Sequence, residues 1–380
     1  MGPFPMSRQR CVGIDARFAC ARYDGVGRYV GALAGVLLRA PARHRYVALR
    51  PGRGEALRHP LPLPASDHLV LDPGHAGRPE SLWSQWELPG LVRGAGCDLW
   101  HAPFPLVPLG LGTPMVVTHH DCIPERMPAY FGRSRRWIYR TGVRSALRRA
   151  RLVIVPSASV AADCARFYRL PGARVRVVPM AVTLPPPPSL PDRSYRRRLG
   201  IGDADYLLVV GRPRPHKGYR TLVRALGALP AGQRPLLVSV GTPDPHLRDG
   251  HEAEAGRLGV ALLRASGVTD DDLLALYRGA TLVAVPSLVE GFGLPLLEAL
   301  AAGAPVLASD IQPLRASGAG SCRFVAAGDA GAWAEALRAC LADDSWRRRA
   351  ATAGPRRAAA LGGWERVAAA TQAVYDEALG

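Results

Sequence analysis

The chain carries a single lysine, in a segment whose other cations are arginines and a histidine. Lys217 lies in GRPRPHKG, residues 211–218, and is the only lysine among 49 lysine and arginine residues. A lysine ammonium is a compact point charge on phosphate, whereas arginine offers a flat, forked donor. The segment follows an apolar run and precedes a helical pattern, where parallel sheets bind ligands. We predict that Arg212 and Lys217 hold a diphosphate; the alternative is a solvated loop.

Two glutamates lie in a second segment of this kind, PSLVEGFGLPLLEALAAG, residues 286–303. Glu290 and Glu298 are eight positions apart, which is about 12 Å or more along a helix. Paired carboxylates of glycosidases lie about 5 to 9.5 Å apart, so we predict separate roles at the two ends of a long ligand. The glycines of EGFGLP favour a backbone nest before a helix, which can receive phosphate oxygens without a metal.

A turn with two glycines, DGVGRYVGAL at residues 24–33, leads into an apolar helical pattern near the N-terminus. Gly25 and Gly27 predict an open helix N-terminus, which suits a phosphate or sugar oxygen. The segment is not a GxGxxG fingerprint, and a plain tight turn remains the alternative.

Neither the acidic nor the cysteine pattern predicts a metal site. Thr269 and the three aspartates after it precede LLALYRGA and fit a capped helix start better than a DxD metal motif. The seven cysteines are scattered without a CxxC pair, which fits reduced, buried thiols better than disulfides or zinc. We expect no metal and no cofactor.

Length and pattern predict two α/β domains. The 380 residues are 48% hydrophobic and 21% charged, values typical of packed globular structure. Short apolar runs alternate with helical patterns, which indicates βαβ units and parallel sheets. The runs are CVGID, HRYVALR, CDLWHA, PMVVTHHD, RLVIVPS and VRVVPM, then DYLLVVG, PLLVSVG, GVALLRA, TLVAVPS and APVLASD. We predict domains at 1–182 and 196–363, a proline-rich linker at 183–195, and a helix at 364–380 that crosses back to the first domain.

Most of the net charge of +18 lies in the first domain, partly in one arginine stripe. Arg136, Arg140, Arg144 and Arg148 recur every four residues, and no aspartate or glutamate occurs from Arg126 to Ala162. Like charges at this spacing repel unless solvent screens them or an anionic partner neutralises them. Two interpretations remain open: the stripe binds an anionic membrane surface, or it is the solvated side of a helix. Nucleic acid is not expected, because no binding motif accompanies the charge.

Nothing in the sequence indicates export or a membrane span. The N-terminal MGPFPMSRQRCVGID lacks a hydrophobic signal segment, and the longest apolar candidate, YVGALAGVLL, is shorter than the about 18 residues that a span needs. We expect a cytoplasmic enzyme, peripheral at the inner face of the membrane if the arginine stripe binds lipid.

The pattern Arg-x4-Lys followed by Glu-x7-Glu around GFGLP resembles the retaining glycosyltransferases of family 4. GIDARF, DGVGRY, LWSQWELP, HDCIPERMPAYF, VPSASVAAD and SGVTDDDLLALY resemble family segments in family order. The N-terminal segments are similar to the bacterial mannosyltransferase-like branch that builds surface polysaccharides. The resemblance implies an α/β fold with two Rossmann-like doubly wound parallel-sheet domains facing across a cleft, called GT-B. The N-terminal domain would bind the acceptor and the C-terminal domain the nucleotide sugar.

The resemblance also implies roles for matching residues. Arg212 and Lys217 would neutralise the donor diphosphate, Glu298 would bind ribose hydroxyls, and Glu290 would hold hydroxyls of the transferred sugar. His120 of THHDCIP would touch that sugar near the reacting centre, with His119 as the open alternative. His120, Arg212, Lys217 and Glu290 are therefore the predicted catalytic residues. Further donor-binding positions are Gly25, Gly27, Val268, Gly291, Phe292, Gly293 and Leu294, and the acceptor-binding positions are His101 and Asp121.

The implied activity is retaining, metal-independent transfer of a hexose from a nucleotide-diphosphate sugar, with GDP-mannose favoured, to a hydroxyl of a glycan, lipid-linked or small-molecule acceptor. The chain departs from the family at Met180 and Ala181 of VVPMAVT, and near Arg315, where a common glutamate is absent. These departures leave the donor sugar open. The alternatives are a sugar-nucleotide epimerase or phosphorylase on the same fold, and a non-catalytic nucleotide-sugar-binding scaffold at the membrane.

Overall fold

The computed structural model describes residues 9–19, 24–39, 44–50, 69–71, 83–130, 132–183, 194–242 and 249–380. The chain divides into two compact units. Unit 1 is Met1–Cys122, Phe131–Met180 and Trp364–Gly380, and unit 2 is Ile123–Tyr130 and Ala181–Gly363. The predicted linker lies outside the described residues from 184 to 193. The sequence pattern places residues 123–130 in the first domain, whereas the structure groups them with unit 2.

Strands and helices alternate through the described residues of both units. In chain order the strands are β1 (Cys11–Ile14), β2 (Arg45–Leu49), β3 (Leu69–Leu71), β4 (Leu99–Ala102), β5 (Met115–Thr118), β6 (Leu152–Val155), β7 (Val175–Val177), β8 (Tyr206–Val210), β9 (Leu236–Val240), β10 (Leu262–Ala265), β11 (Leu282–Val285), β12 (Val306–Ser309) and β13 (Arg323–Val325). The helices are α1 (Asp24–Arg39), α2 (Trp83–Gly94), α3 (Ile123–Arg126), α4 (Arg133–Arg149), α5 (Ala158–Tyr168), α6 (Ser194–Arg198), α7 (Tyr219–Gly227), α8 (His251–Leu258), α9 (Asp270–Gly279), α10 (Leu294–Ala301), α11 (Gln312–Gly318), α12 (Ala330–Ala342), α13 (Asp344–Ala360) and α14 (Trp364–Leu379).

Unit 1 is built on a parallel sheet in the order β3-β2-β1-β4-β5-β6-β7. Strands β1, β4, β5 and β6 are buried along their whole length, as expected when helices cover both faces of a parallel sheet. The last helix, α14, packs against α1 and against β4, β5 and β6. Its residue Tyr375 is fully buried, so this helix completes the core of unit 1.

Unit 2 has a parallel sheet in the order β10-β9-β8-β11-β12-β13. This is the doubly wound order in which the direction of winding reverses between the first and fourth strands, here β8 and β11. The core combines strand residues such as Leu207 and Leu307 with Leu222 of α7 and Trp333 of α12. Loops that follow β8 and β11 therefore meet at the switch point, where such sheets bind ligands.

The predicted α/β fold with two Rossmann-like parallel sheets is confirmed. The predicted helix start at Thr269 is also confirmed, because its side chain accepts a hydrogen bond from the Asp272 amide while the Asp272 carboxylate accepts one from the Thr269 amide. Among the described residues, no helix combines the length and apolar character needed to cross a membrane.

Candidate active site

The loop after β8 carries the unique lysine. It forms a single 3-10 turn, Pro215–Lys217, which Gly218 connects to α7. Arg212 lies at the start of this loop and is half-buried. His216 is buried, and its pKa is lowered to about 2 by desolvation and by the neighbouring Lys217 and Arg214 charges. The imidazole is therefore neutral, and the loop presents lysine and arginine as its permanent cations.

Gly218 lets the loops after β8 and β11 lie in direct contact. Its φ of 67° is in the left-handed region, and a Cβ at this position would lie 2.0 Å from the carbonyl oxygen of Pro286. The backbone amide of Leu288 donates a 2.7 Å hydrogen bond to the carbonyl of His216. A glycine is therefore needed here for both its conformation and its lack of a side chain.

Lys217 and Glu290 form an ion pair across this junction. The lysine Nζ donates to Glu290 Oε1 at 2.6 Å, and the Ser287 hydroxyl donates to the same oxygen at 2.7 Å. The lysine side chain is 18% exposed and the glutamate side chain 9%. The structure thus brings together two of the predicted catalytic residues, and an ion pair of limited exposure is less screened than one at the surface.

Glu298 is held by a different partner. It lies on α10, and its Oε2 accepts a 2.9 Å hydrogen bond from the hydroxyl of Tyr277, a buried residue of α9. The two predicted glutamates therefore have separate hydrogen-bond partners, Ser287 and Lys217 for Glu290 and Tyr277 for Glu298. Val268, another predicted donor contact, lies half-buried just before the Thr269 cap of α9.

The segment between the glutamates forms the start of α10. Gly291 and Phe292 are buried, Gly293 is the N-cap residue with φ of 94°, and Leu294 is the first residue of the helix. A Cβ on Gly293 would lie 2.3 Å from the side chain of Leu314. Gly293 itself supplies no side-chain cap to this helix N-terminus. Backbone amides and the positive end of the helix dipole are therefore the polar features of this turn.

His120 follows β5 in unit 1, and one of its two ring nitrogens has a hydrogen-bond partner. Its Nε2 lies 2.8 Å from the backbone carbonyl of Pro103, so Nε2 carries the hydrogen and Nδ1 has the lone pair. Nδ1 is buried without a hydrogen-bond partner in the described part of the chain. The ring packs edge-on against Tyr29 of α1 at 5.0 Å. Burial lowers the pKa of His120 to about 4, so the ring is neutral near pH 7.

His119 has a different environment from its neighbour. It is 1% exposed against 7% for His120, and its Nε2 lies 3.4 Å from the Sγ of Cys122. Its ring also packs edge-on against Tyr168. Burial lowers the pKa of His119 to about 3. These contacts face the core of unit 1. Asp121, the predicted acceptor contact, is half-buried directly after His120.

The predicted acceptor-binding role of His101 needs correction. The residue lies within β4 and is fully buried. Both ring nitrogens have partners, Nε2 with the Thr118 hydroxyl at 2.8 Å and Nδ1 with the Tyr375 hydroxyl at 2.7 Å. The Tyr29 hydroxyl lies 3.1 Å from the same Thr118 oxygen. His101 is therefore part of a polar network inside unit 1 and has no nitrogen left for an acceptor.

Gly25 and Gly27 lie in the first turn of α1, as the sequence suggests. Gly25 is half-buried and Gly27 is buried. Helix α1 is the α-helix that comes next after β1 in the chain, and β1 and its neighbour β4 form the switch point of the first sheet.

Several residues that contact the predicted site residues within each unit were not identified from the sequence. They are Ser287 and Tyr277 in unit 2 and Pro103 and Tyr29 in unit 1. The contact of Ser287 with Glu290 was predictable from their spacing, because a hydroxyl three residues before a glutamate can reach its carboxylate in a turn. The others contact their partners only through the tertiary fold.

The arginine stripe lies on α4, which also carries apolar residues of the core. Val143, Ala146 and Leu147 are buried in the core of unit 1. Arg140 and Arg148 are exposed, whereas Arg136 and Arg144 are half-buried. Two large apolar side chains on the same helix are also exposed, Trp137 at 68% and Ile138 at 65%.

Comparison with known proteins identifies the class to which this fold belongs. The model of the glycosyl transferases group 1 family matches residues 192–357, and the model of Glycosyltransferase Family 4 matches residues 23–184. The crystal structure of Anabaena HepE in complex with UDP and glucose has a TM-score of 0.70 at 18% identity, covering 97% of this chain and 99% of that chain. This likeness shows the two-domain fold of GT-B glycosyltransferases.

Curated relatives are similar over part of their length. A D-inositol 3-phosphate glycosyltransferase of Xylanimonas cellulosilytica is 38% identical over 57% of this chain and 55% of that protein. An MMP alpha-(1->4)-mannosyltransferase of Mycolicibacterium hassiacum is 30% identical over 71% of this chain and 66% of that protein. The chain thus spans about half to two thirds of the length of these relatives. Together with the two family matches they confirm the predicted resemblance, and the chain belongs to the glycosyltransferases of family 4.

Proposed function

We propose that this chain transfers a hexose, with retention of configuration, from a nucleotide-diphosphate sugar to a hydroxyl of a glycan, lipid-linked or small-molecule acceptor. The observation that carries the proposal is the Lys217–Glu290 ion pair at the switch point between β8 and β11. It places a cation for a diphosphate beside a carboxylate for sugar hydroxyls, on two loops fixed against each other by Gly218. Family membership supports the reaction class.

In the proposed reaction the bond between the sugar C1 and the diphosphate oxygen breaks, and a bond from the acceptor oxygen to C1 forms on the same face. The acceptor proton passes to the departing phosphate oxygen. Lys217 and Arg212 stabilise the negative charge that develops on the diphosphate, with the amides at the start of α10 as further donors. These groups are protein cations and dipoles, so the proposed step needs no metal ion.

The remaining contacts orient the donor. Glu298, held by Tyr277, accepts hydrogen bonds from the ribose hydroxyls, and Glu290 accepts them from the transferred sugar. His120 adds an acceptor in unit 1, because the Pro103 carbonyl fixes its tautomer with the lone pair on Nδ1. We propose a sugar hydroxyl as the partner of this nitrogen, which has none among the described residues.

Mannose is the sugar that we favour, with GDP as the nucleotide. The mannosyltransferase relative from Mycolicibacterium hassiacum supports this choice, whereas the HepE structure contains UDP and the first relative is named for an inositol phosphate. Thermal-shift measurements with GDP-, UDP-, ADP- and dTDP-sugars test the proposal, since a ligand that binds the native state raises the melting temperature by mass action. We expect the largest shift with GDP-mannose. A larger shift with another nucleotide sugar would contradict the proposed donor.

Nucleotide release distinguishes transfer from the alternatives. A transferase releases the nucleoside diphosphate when a donor and an acceptor are both present, and the product carries the sugar with its configuration retained. An epimerase changes the donor sugar without releasing nucleotide, a phosphorylase needs phosphate, and a binding scaffold releases nothing. Absence of nucleotide release with every donor that stabilises the chain would favour the scaffold.

A second proposal concerns α4, which we infer contacts an anionic membrane surface. Exposed Arg140 and Arg148 lie on the same helix as exposed Trp137 and Ile138. Basic residues near an anionic surface contribute roughly 1 kcal/mol each, and tryptophan favours the membrane interface. In flotation assays we expect binding to vesicles with anionic lipid and loss with Trp137→Ser or Arg140→Glu. Equal recovery with and without anionic lipid would contradict the proposal.

A further inference from the structure

Three side chains of the types that bind metals converge inside unit 1. The Nε2 of His119 lies 3.4 Å from the Sγ of Cys122, and the ligand atoms of His119, Cys122 and Cys164 all lie within 4.8 Å of one another. His119 and Cys122 belong to the loop after β5, and Cys164 belongs to α5. Each of the three side chains is at most 1% exposed.

The spacing fits tetrahedral coordination by a soft metal ion. Zinc binds cysteine sulfur at about 2.3 Å and histidine nitrogen at about 2.0 to 2.1 Å, so a shared ion places the two atoms about 3.5 Å apart. The observed separation of His119 Nε2 and Cys122 Sγ is 3.4 Å. Two thiolates balance the charge of a divalent cation, and the neutral imidazole adds none. A buried site requires this balance because an uncompensated charge in the core is costly.

A packing role alone leaves one feature of this cluster unexplained. Buried cysteines often act as small apolar residues, but buried histidines normally have hydrogen-bond partners. The Nδ1 of His119 is buried without any partner among the described residues, and its Nε2 points to a weakly polar thiol. A metal ion bound to Nε2 would replace this weak contact with a strong one, while Nδ1 would keep the hydrogen and gain no partner from the metal.

We propose that His119, Cys122 and Cys164 form a structural site for Zn²⁺. Binding converts both thiols to thiolates, so two protons leave for each metal ion bound. Three protein ligands leave one position for an exogenous ligand such as water. Since His119 and Cys122 flank His120 and Asp121 in the sequence, the ion would fix both ends of the loop that carries His120 and tie that loop to α5.

A second thiol pair in unit 1 provides a matched control. Cys11 and Cys97 have their sulfur atoms 3.9 Å apart, but their neighbour is the guanidinium of Arg45 rather than an imidazole. A cation there would be repelled by the arginine charge. Cys97→Ala therefore removes a comparable thiol without touching the proposed ligands.

Cobalt substitution tests the site on the full chain without relying on its activity. Untagged protein is unfolded in guanidinium with a phosphine reductant and refolded with Co²⁺, so that burial does not prevent entry. We expect one Co²⁺ per chain after desalting, with a near-ultraviolet thiolate-to-cobalt absorption band that one equivalent of Zn²⁺ removes. In unbuffered solution, Zn²⁺ binding to the refolded apoprotein should release two protons per ion.

The variants separate this site from nonspecific binding. Cys122→Ala and Cys164→Ala should lose the band, His119→Phe should weaken metal binding at least about 10-fold, and Cys97→Ala should retain the wild-type band. Refolded wild-type protein with a native circular dichroism spectrum but no retained metal would overturn the proposal, even if no variant folds. Retention of the band in Cys122→Ala would overturn it as well. Neither result depends on whether the chain transfers sugar.

Discussion

The hydroxyl of Tyr277 donates a 2.9 Å hydrogen bond to the carboxylate of Glu298, joining α9 to α10 in unit 2. Tyr277 is 2% exposed, and Glu298 is half-buried. The tyrosine therefore orients the Glu298 carboxylate from the side of α9. This makes Tyr277 a positioning residue for the proposed ribose contact.

Tyr277→Phe should raise the KM for the nucleotide sugar about 3- to 10-fold with little change in kcat. The lost hydrogen bond orients the carboxylate and does not itself contact the donor, so we expect a cost like that of a typical hydrogen bond, on the order of 0.5 to 1.5 kcal/mol, in binding a part of the donor that does not react. Steady-state kinetics of the variant measures both KM and kcat. Tyr206→Phe is the control, because it removes a buried hydroxyl that donates to the Leu276 carbonyl and has no candidate role. Equal effects of the two variants would contradict a specific role for Tyr277.

Lys217→Ala should lower kcat/KM by about 100-fold or more, on the scale of losing one donor to a developing anion. The substitution also leaves the Glu290 carboxylate without its cation. Rates of nucleotide release measure the effect. Arg220→Ala removes a nearby cation that pairs with Glu254, where Arg224 remains as a partner, and should stay within about 2-fold of wild type. A near-normal rate for Lys217→Ala would refute its assigned role.

Gly218→Ala should destabilise unit 2 more than Gly202→Ala does. Both glycines have φ in the left-handed region, 67° and 63°, which costs an L-residue roughly 1 to 2 kcal/mol. A Cβ on Gly202 meets nothing within 4 Å, whereas one on Gly218 would lie 2.0 Å from the Pro286 carbonyl oxygen. Urea denaturation midpoints of the two variants measure the difference. Equal midpoints would show that the two loops separate at little cost.

Acid should destabilise the fold partly through His216. Its folded pKa of about 2 lies below the unfolded value of about 6.5, so only the unfolded chain takes up a proton between these pH values. Stability is therefore lost as pH falls below about 6.5, with about 1.4 kcal/mol from this residue by about pH 5.5. The urea midpoint of His216→Asn should fall less than that of wild type over this range. Parallel pH profiles would contradict the prediction.

Transfer should continue in excess EDTA, because the proposed leaving-group contacts are protein cations and amides. Magnesium and manganese prefer oxygen ligands, whereas a Cys2His site prefers zinc. Activity that is lost in EDTA and restored by Mg²⁺ or Mn²⁺ would therefore overturn the metal-independent mechanism. Restoration by Zn²⁺ alone would instead implicate the cluster of His119, Cys122 and Cys164. Initial rates measured with each ion separate these outcomes.

The fold was largely predictable because parallel strands covered on both faces appear as continuous apolar runs. Runs such as DYLLVVG and TLVAVPS became the central strands β8 and β11. The two strands that were missed, β3 and β13, lie at sheet edges and have three residues each. Arg323 of β13 pairs with Asp343 and lies over the Trp346 ring, so its polar side chain interrupts the apolar pattern.

Of the candidate site, only residues that stand out in their local sequence were predictable. Lys217 and Glu290 stand out because each follows a strand, and strand ends are where such sheets bind ligands. His101 was wrongly expected at the site because it precedes the end of β4 rather than following it, and a side chain inside a covered parallel strand is buried. The partners Tyr277 and Pro103 depend on contacts between elements, which residue spacing alone does not specify.

Helix α14 is separated in the sequence from the rest of unit 1, to which it belongs. This helix belongs to unit 1 and covers α1 and β4–β6, yet the ribosome makes it after all of unit 2. Domains generally fold as units during translation, so a nascent unit 1 would expose apolar surface until its last helix emerges. Unit 2 consists of residues 123–130 and 181–363, all of which are synthesised before α14, so we expect unit 2 to reach its native state first.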